Sequence, residues 1–323
     1  MNTLTRATAA AIVLACLIAL LGAGCSAGPG RTRHTLDTDG GARTYLLHVP
    51  PALPADTPVP LLLALHPFAG TGESMANTTG FDAIADEHGF IVCYPEGVTF
   101  LWNGDPTDET GKQLVEDADD VGFIDALLDR LLTDFRIDPT RIYVTGASNG
   151  GLMAHRLACE LGDRFAAAAS VMITLPEGFP EACPPTTPLP MLIMQGTDDP
   201  FFPWLGGPVQ QGPARPSNYL SAAATVDFWV DANGARRPAD VALLPNTDPA
   251  DGTRILRESY TETPGGAPVV FYRVHGGGHT WPGSTPSLLE SLAGVGTVSQ
   301  DINASRAIWA FFSGHARASK TER

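Results

Sequence analysis

The sequence predicts an α/β fold with a largely parallel central sheet and helices on both faces, and three observations carry that expectation. Short apolar runs alternate along the chain with segments of helical period. Most of these runs are apolar throughout, the pattern of strands buried on both faces. No internal repeat or linker interrupts the chain after Arg43, so a single domain is expected.

The elements follow in order. "TYLLHV" and "PLLLALH" read as strands separated by proline-rich punctuation. A helix is expected around Gly80 to His88, then the strand "FIVCYPE" and an acidic loop. Val121, Ile124, Leu128, Leu131 and Phe135 recur at three- and four-residue spacing behind Asp117, Asp119 and Asp120, whose carboxylates favour a helix N-terminus. "RIYVTGAS" is the next strand and "NGGLMAHRLACEL" the next helix; "FAAAASVMI" and "MLIMQG" are further strands. Ser217 to Asn233 reads as a helix, "PVVFYRVHGGGH" as a late strand and "DINASRAIWAFF" as the closing helix. Residues 234–268 are less regular and suit a surface excursion or an antiparallel pair.

Ahead of this body, Arg6 flanks the uncharged run "ATAAAIVLACLIALL", which suits an export signal and falls short of the roughly 20 residues of a membrane span. "LGAGCSAG" resembles a bacterial lipobox, which would make Cys25 the lipidated residue and a lipid anchor, although Gly22 stands where that motif prefers a larger aliphatic residue. Ordinary cleavage between Ala23 and Ala27 is the competing expectation. The organisation expected is a signal over residues 1–24, a flexible lead over 25–42, the folded domain over 43–315 and a disordered tail over 316–323.

The net charge of −15 argues against nucleic acid and against anionic lipid surfaces as partners. Cys93 lies inside an apolar run, where a buried thiol is the default. Cys159 and Cys183 flank one strand and loop, and export would permit a disulfide between them. No Cys-x-x-Cys or Cys/His cluster suggests a metal site, and no cofactor is expected.

Chemistry concentrates at "VTGASNG". Its Gly-Ala-Ser-Asn-Gly places Ser148 directly after a β-branched strand and at the start of a helix, the context of a nucleophile on a sharp turn. A hydroxyl needs a base. Of eight histidines, His279 in "HGGGHTWPG" fits best, after the last strand in a glycine-rich loop; His275, His155 and His66 are the rivals. The rate should then rise with pH through the histidine range of about 6–7. Asp198 and Asp199 in "MLIMQGTDDP" could orient the imidazole or could cap a turn. The order serine, aspartate, histidine is that of the α/β-hydrolase fold. Trp102, Phe202, Trp204 and Trp281 follow strand ends and are candidates to line an apolar acyl or aryl pocket.

At these residues the chain resembles secreted esterases of the polyhydroxybutyrate depolymerase type, a group that overlaps feruloyl and acetyl-xylan esterases. The resemblance runs from about Arg43 to Phe312 through "LLLALH", "GFIVCYPE", "DDVGFIDALLD", "RIYVTGASNGGLMAHRLACEL", "DRFAAAA", "QGTDDP" and "GGGHTWPG". It implies Ser148 and His279 as nucleophile and base, and its Gly-Thr-x-Asp pattern selects Asp199 over Asp198. It implies ester hydrolysis through an acyl-enzyme, on polyhydroxybutyrate-type oligomers or on feruloyl or acetyl esters of polysaccharide. The family usually has His-Gly where this chain has His66-Pro67-Phe68. Proline has no N–H, so Phe68 and Asn149 are the expected oxyanion donors. Ala235 stands where relatives often carry a cysteine. Two other readings stay open: a serine peptidase of the same fold, and a non-catalytic cell-surface binding protein whose anion loop Pro67 has spoiled.

Overall fold

The computed structural model describes residues 30–54, 56–108, 118–209, 217–285 and 294–318. The expected signal and Cys25 lie outside them. Ten strands form one sheet in the order β1-β2-β4-β3-β5-β6-β7-β12-β11-β10. In chain order these are β1 (Arg31–Thr38), β2 (Gly41–His48), β3 (Val59–Leu65), β4 (Ile91–Pro95), β5 (Ile137–Ala147), β6 (Ala167–Val171), β7 (Met191–Gly196), β10 (Asp240–Leu243), β11 (Arg254–Tyr260) and β12 (Val269–His275), while β8 (Gly207–Val209) and β9 (Ser217–Tyr219) pair separately. The six central strands from β4 to β12 run parallel and the flanks are antiparallel.

Side-chain alternation divides the core between two faces. Leu61, Leu63, Val144, Met191 and Ile193 point to one, where α3 (Asp120–Asp134), α4 (Asn149–Glu160) and α6 (Ala222–Ala232) pack. Leu62, Ala64, Tyr143, Leu192 and Met194 point to the other, covered by α1 (Gly72–Thr79), α2 (Phe81–His88) and α7 (Ala304–Phe312); α5 is the short Phe179–Ala182. Each fully buried leucine contributes about 1.5–3 kcal/mol, which is why apolar strands on two faces hold the sheet centrally. Asp119 caps α3 by accepting the Gly122 N–H, and the buried Asp120 pairs with Arg43 at 2.6 Å.

Several expectations are corrected. Residues 31–38, expected as flexible lead, are an edge strand whose polar sequence hides its pairing; Arg31 is held by Glu73 and Asp82 at 2.6 Å each. Helix α1 carries little apolar periodicity and is fixed by a Thr71–Ser74 capping box. The segment from Ser217 opens as β9, and its helix starts only after the Ser221 cap. Cys159 and Cys183 do not form the expected disulfide: both are buried free thiols. The Cys159 S–H donates to the Cys183 carbonyl at 2.8 Å, and the Cys183 thiol turns to the Arg156 carbonyl.

His66 and His155 are wholly enclosed in this core. His155 on α4 accepts the Trp229 indole N–H at 2.8 Å, and burial pushes it down to about 3; burial pushes His66 down to about 4. The unfolded histidine titrates near 6.5, so below that pH the unfolded chain binds protons the folded one refuses. Their stabilising contribution is complete above about pH 6.5 and is lost as pH falls toward the folded values. At pH 4.5 the loss is about 2–3 kcal/mol per group, two pH units at 1.36 kcal/mol each. Denaturant titrations at pH 7 and 4.5 check this: His155→Asn, which keeps an acceptor for Trp229, should shrink the difference by about that amount. An unchanged difference would exclude His155 as a source of acid lability.

Candidate active site

The carboxyl edge of the parallel strands concentrates strained backbone. Among the described residues, the non-glycine positions with positive φ are Ala69, Thr99, Phe100, Ser148 and Met172, and each lies just beyond β3, β4, β5 or β6. Such conformations cost roughly 1–3 kcal/mol each and persist only where surroundings enforce them.

Ser148 has φ 52° and ψ −119° between β5 and α4. Its N–H donates to the Val171 carbonyl at 2.9 Å, and its side chain makes no hydrogen bond among the described residues. The glycines of the motif are required by close approach. A β-carbon on Gly146 would collide with the Gly150 carbonyl, and one on Gly150 with the Leu65 and His66 carbonyls.

Two strands along, the turn after β7 folds around Asp199. Its Oδ1 accepts the N–H groups of Phe201 and Phe202 at 2.9 Å each. Its Oδ2 accepts the Gln195 amide at 3.1 Å and meets His279 Nδ1 at 2.9 Å. Asp198 is exposed; its carboxylate accepts the hydroxyl of its neighbour Thr197, and its backbone N–H goes to the Gly277 carbonyl. The loop after β12 brings His279 back over the edge, its N–H held by the Val295 carbonyl at 2.6 Å. With Nδ1–H committed to the carboxylate, Nε2 is the free lone pair. Asp199 and His279 are thus paired directly, while Ser148 stands at the same edge without a hydrogen bond to the imidazole.

Phe68 N–H and Asn149 N–H have no acceptor among the described residues. The Asn149 N–H opens α4, where the helix dipole favours negative charge. Of the aromatic candidates, Phe202 stacks on His279 with centroids 5.5 Å apart. Trp102 and Trp281 are corrected: both are 2 % exposed, their indole N–H groups given to the His66 carbonyl and to Ser305. Trp204 turns to the sheet, stacked on Phe271 beneath Arg273. These loops dip back into the core, so an aromatic following a strand end is not thereby at the mouth.

The sequence reading missed Phe201 and Gln195. Phe201 sits edge-on to His279 with centroids 5.1 Å apart and is 43 % exposed, and Phe68 and Phe100 are 54 % and 40 % exposed. Gln195 was legible as the polar side chain in an otherwise apolar strand that is buried on both faces. The rival histidines fall away: His66 and His155 are fully buried and His275 ends β12 on an exposed position. A groove of about 830 Å³ opens between Pro58, Arg141 and Trp309 at the amino ends of β3 and β5, opposite the edge where such sheets place ligands. Among the described residues, no group of three His, Cys, Asp or Glu is placed to hold a metal ion.

A single mostly parallel sheet with helices on both faces and these loops at its carboxyl edge define an α/β-hydrolase. An acetyl xylan esterase from Aspergillus awamori has the same fold, with a TM-score of 0.54 over 77 % of this chain and 94 % of that one at 17 % identity. Residues 43–178 match the family model "Esterase PHB depolymerase". "Putative esterase NocK" of Nocardia uniformis subsp. tsuyamanensis is 39 % identical over 253 residues, covering 76 % of this chain and 72 % of that protein. Feruloyl esterase B of Piromyces equi is 28 % identical over 73 % of this chain, which spans 42 % of its length. The chain belongs to the polyhydroxybutyrate depolymerase family of esterases.

Proposed function

We propose that this protein is an exported serine esterase in which Ser148, His279 and Asp199 act together. The observation that carries it is the 2.9 Å Asp199–His279 pair at the same sheet edge as the strained Ser148. His279 Nε2 takes the Ser148 proton as Oγ attacks an ester carbonyl, and Asp199 stabilises the imidazolium that forms. The Phe68 and Asn149 N–H groups receive the oxyanion, each worth about 2.7–4 kcal/mol at the transition state. His279 then protonates the departing alcohol, and water, activated by the same imidazole, resolves the acyl-enzyme. The serine–histidine bond of such enzymes is often long without substrate and tightens in the complex. Export rests on the charged flank and apolar run of residues 1–24, with Cys25 as the anchor site.

The exposed rings of Phe68, Phe100 and Phe201 favour esters with an apolar acyl or aryl part, hydroxybutyrate oligomers and feruloyl esters ahead of acetylated sugars. Stoichiometric labelling of Ser148 by a fluorophosphonate, with turnover of a panel of these esters, tests the reading. A folded protein that neither labels nor hydrolyses any of them is a binding module instead. Phe201→Ala should raise KM for aryl esters about 3- to 10-fold, matching an aromatic contact of about 0.5–1.5 kcal/mol, and leave acetyl esters unchanged. Equal effects on both would remove Phe201 from substrate selection.

A further inference from the structure

We propose that the Asn149 side chain and Trp102 are positioning residues that set the 66–70 loop, so that its Phe68 N–H and the Asn149 N–H address one oxyanion. This rests on the serine-esterase reading. Pro67 has a fixed φ and no N–H, so it cannot donate a bond to anchor the loop. The anchoring comes from neighbours. The Asn149 amide takes both backbone groups of Trp102: Oδ1 accepts its N–H at 2.8 Å and Nδ2 donates to its carbonyl at 3.0 Å. Trp102 in turn donates its indole N–H to the His66 carbonyl at 3.1 Å and lies against the His66 ring.

His66 passes the constraint on. Its Nε2 accepts the Gly97 N–H at 2.9 Å, which leaves the proton on Nδ1, and Nδ1 donates to the Pro67 carbonyl at 2.8 Å. The same carbonyl takes the Gly70 N–H, and the Ala69 N–H goes to the Phe100 carbonyl, both at 2.9 Å. The loops after β3 and β4 are therefore tied to each other and to the start of α4, across the strained Ala69, Thr99 and Phe100. Within residues 67–70 the Ala69 and Gly70 N–H groups have acceptors, and the Phe68 N–H has none among the described residues. Asn149 also carries the second expected donor, so one residue relates the two.

Asn149→Leu removes both bonds to Trp102, and Trp102→Phe removes only the indole donor while keeping an aromatic ring. Hydrogen–deuterium exchange over the 66–70 loop reads the anchoring independently of turnover. Both variants should exchange faster there than wild type and lose kcat by about 10- to 100-fold, with KM within about threefold. The double variant should lose no more than the worse single one, because both cut the same support. A trifluoromethyl ketone, which forms an oxyanion on the serine, should bind both variants more weakly in proportion to kcat. Unchanged loop exchange and kcat in both variants, or a loss confined to KM, would overturn the proposal. Faster loop exchange in the variants of a protein whose wild type hydrolyses no ester would sink the esterase reading and uphold the anchoring.

Discussion

Ser148→Ala is expected to lower kcat for ester hydrolysis by a factor on the order of 10⁴ to 10⁶. On the proposed mechanism the loss is large because the hydroxyl would form the bond that makes the acyl-enzyme, and without it the oxyanion donors could only assist water. The fold should tolerate the change. Among the described residues the Ser148 side chain makes no hydrogen bond, and its N–H to Val171 belongs to the backbone. The positive φ is held by the surroundings, so alanine adopts it at a similar cost. Fluorophosphonate labelling should vanish while the thermal midpoint stays within a few degrees of wild type. Retention of wild-type turnover by the folded variant would refute the nucleophile.

Asp199→Asn should lower kcat on the order of 10³ to 10⁴ and, unlike the serine variant, should also destabilise the protein. Among the described residues, every bond to this carboxylate is donated to it: two backbone N–H groups on Oδ1, and Gln195 with His279 on Oδ2. An amide supplies one acceptor and one donor. If its NH₂ lies toward Phe201 and Phe202, it faces two N–H groups; if toward His279, it faces the Gln195 donor and forces the imidazole into the wrong tautomer. Either orientation leaves a buried donor unpaired, costing about 1–3 kcal/mol. Unfolding curves and steady-state rates together check the prediction. A variant as stable and as fast as wild type would show that the carboxylate neither orients the base nor needs its charge.

The legibility of these features was uneven for physical reasons. Strands β3, β4, β6 and β7 were readable because burial on both faces makes them mostly apolar, and α3 because a buried stripe sets its period. Strand β1 was not: as a polar edge strand it draws stability from pairing with β2 and from the Arg31 ion pairs, which reach 42 and 51 residues along the chain. Helix α1 depends on a cap more than on a stripe. Asp199 was separated from Asp198 by a family pattern, and the structure separates them by burial and by the His279 contact.

The sequence by itself determined the layer architecture, the strand-to-helix turn at Ser148 and the identities of the acid and base candidates, because each follows from local periodicity or from a short motif. Tertiary structure alone decided which aromatics face outward, that Cys159 and Cys183 stay unbonded, and that Trp102 and Asn149 brace the loop containing Pro67. Those outcomes depend on where β3, β4, β5 and β7 end relative to one another in space. Sequence spacing does not encode that distance; the packing of the whole sheet sets it.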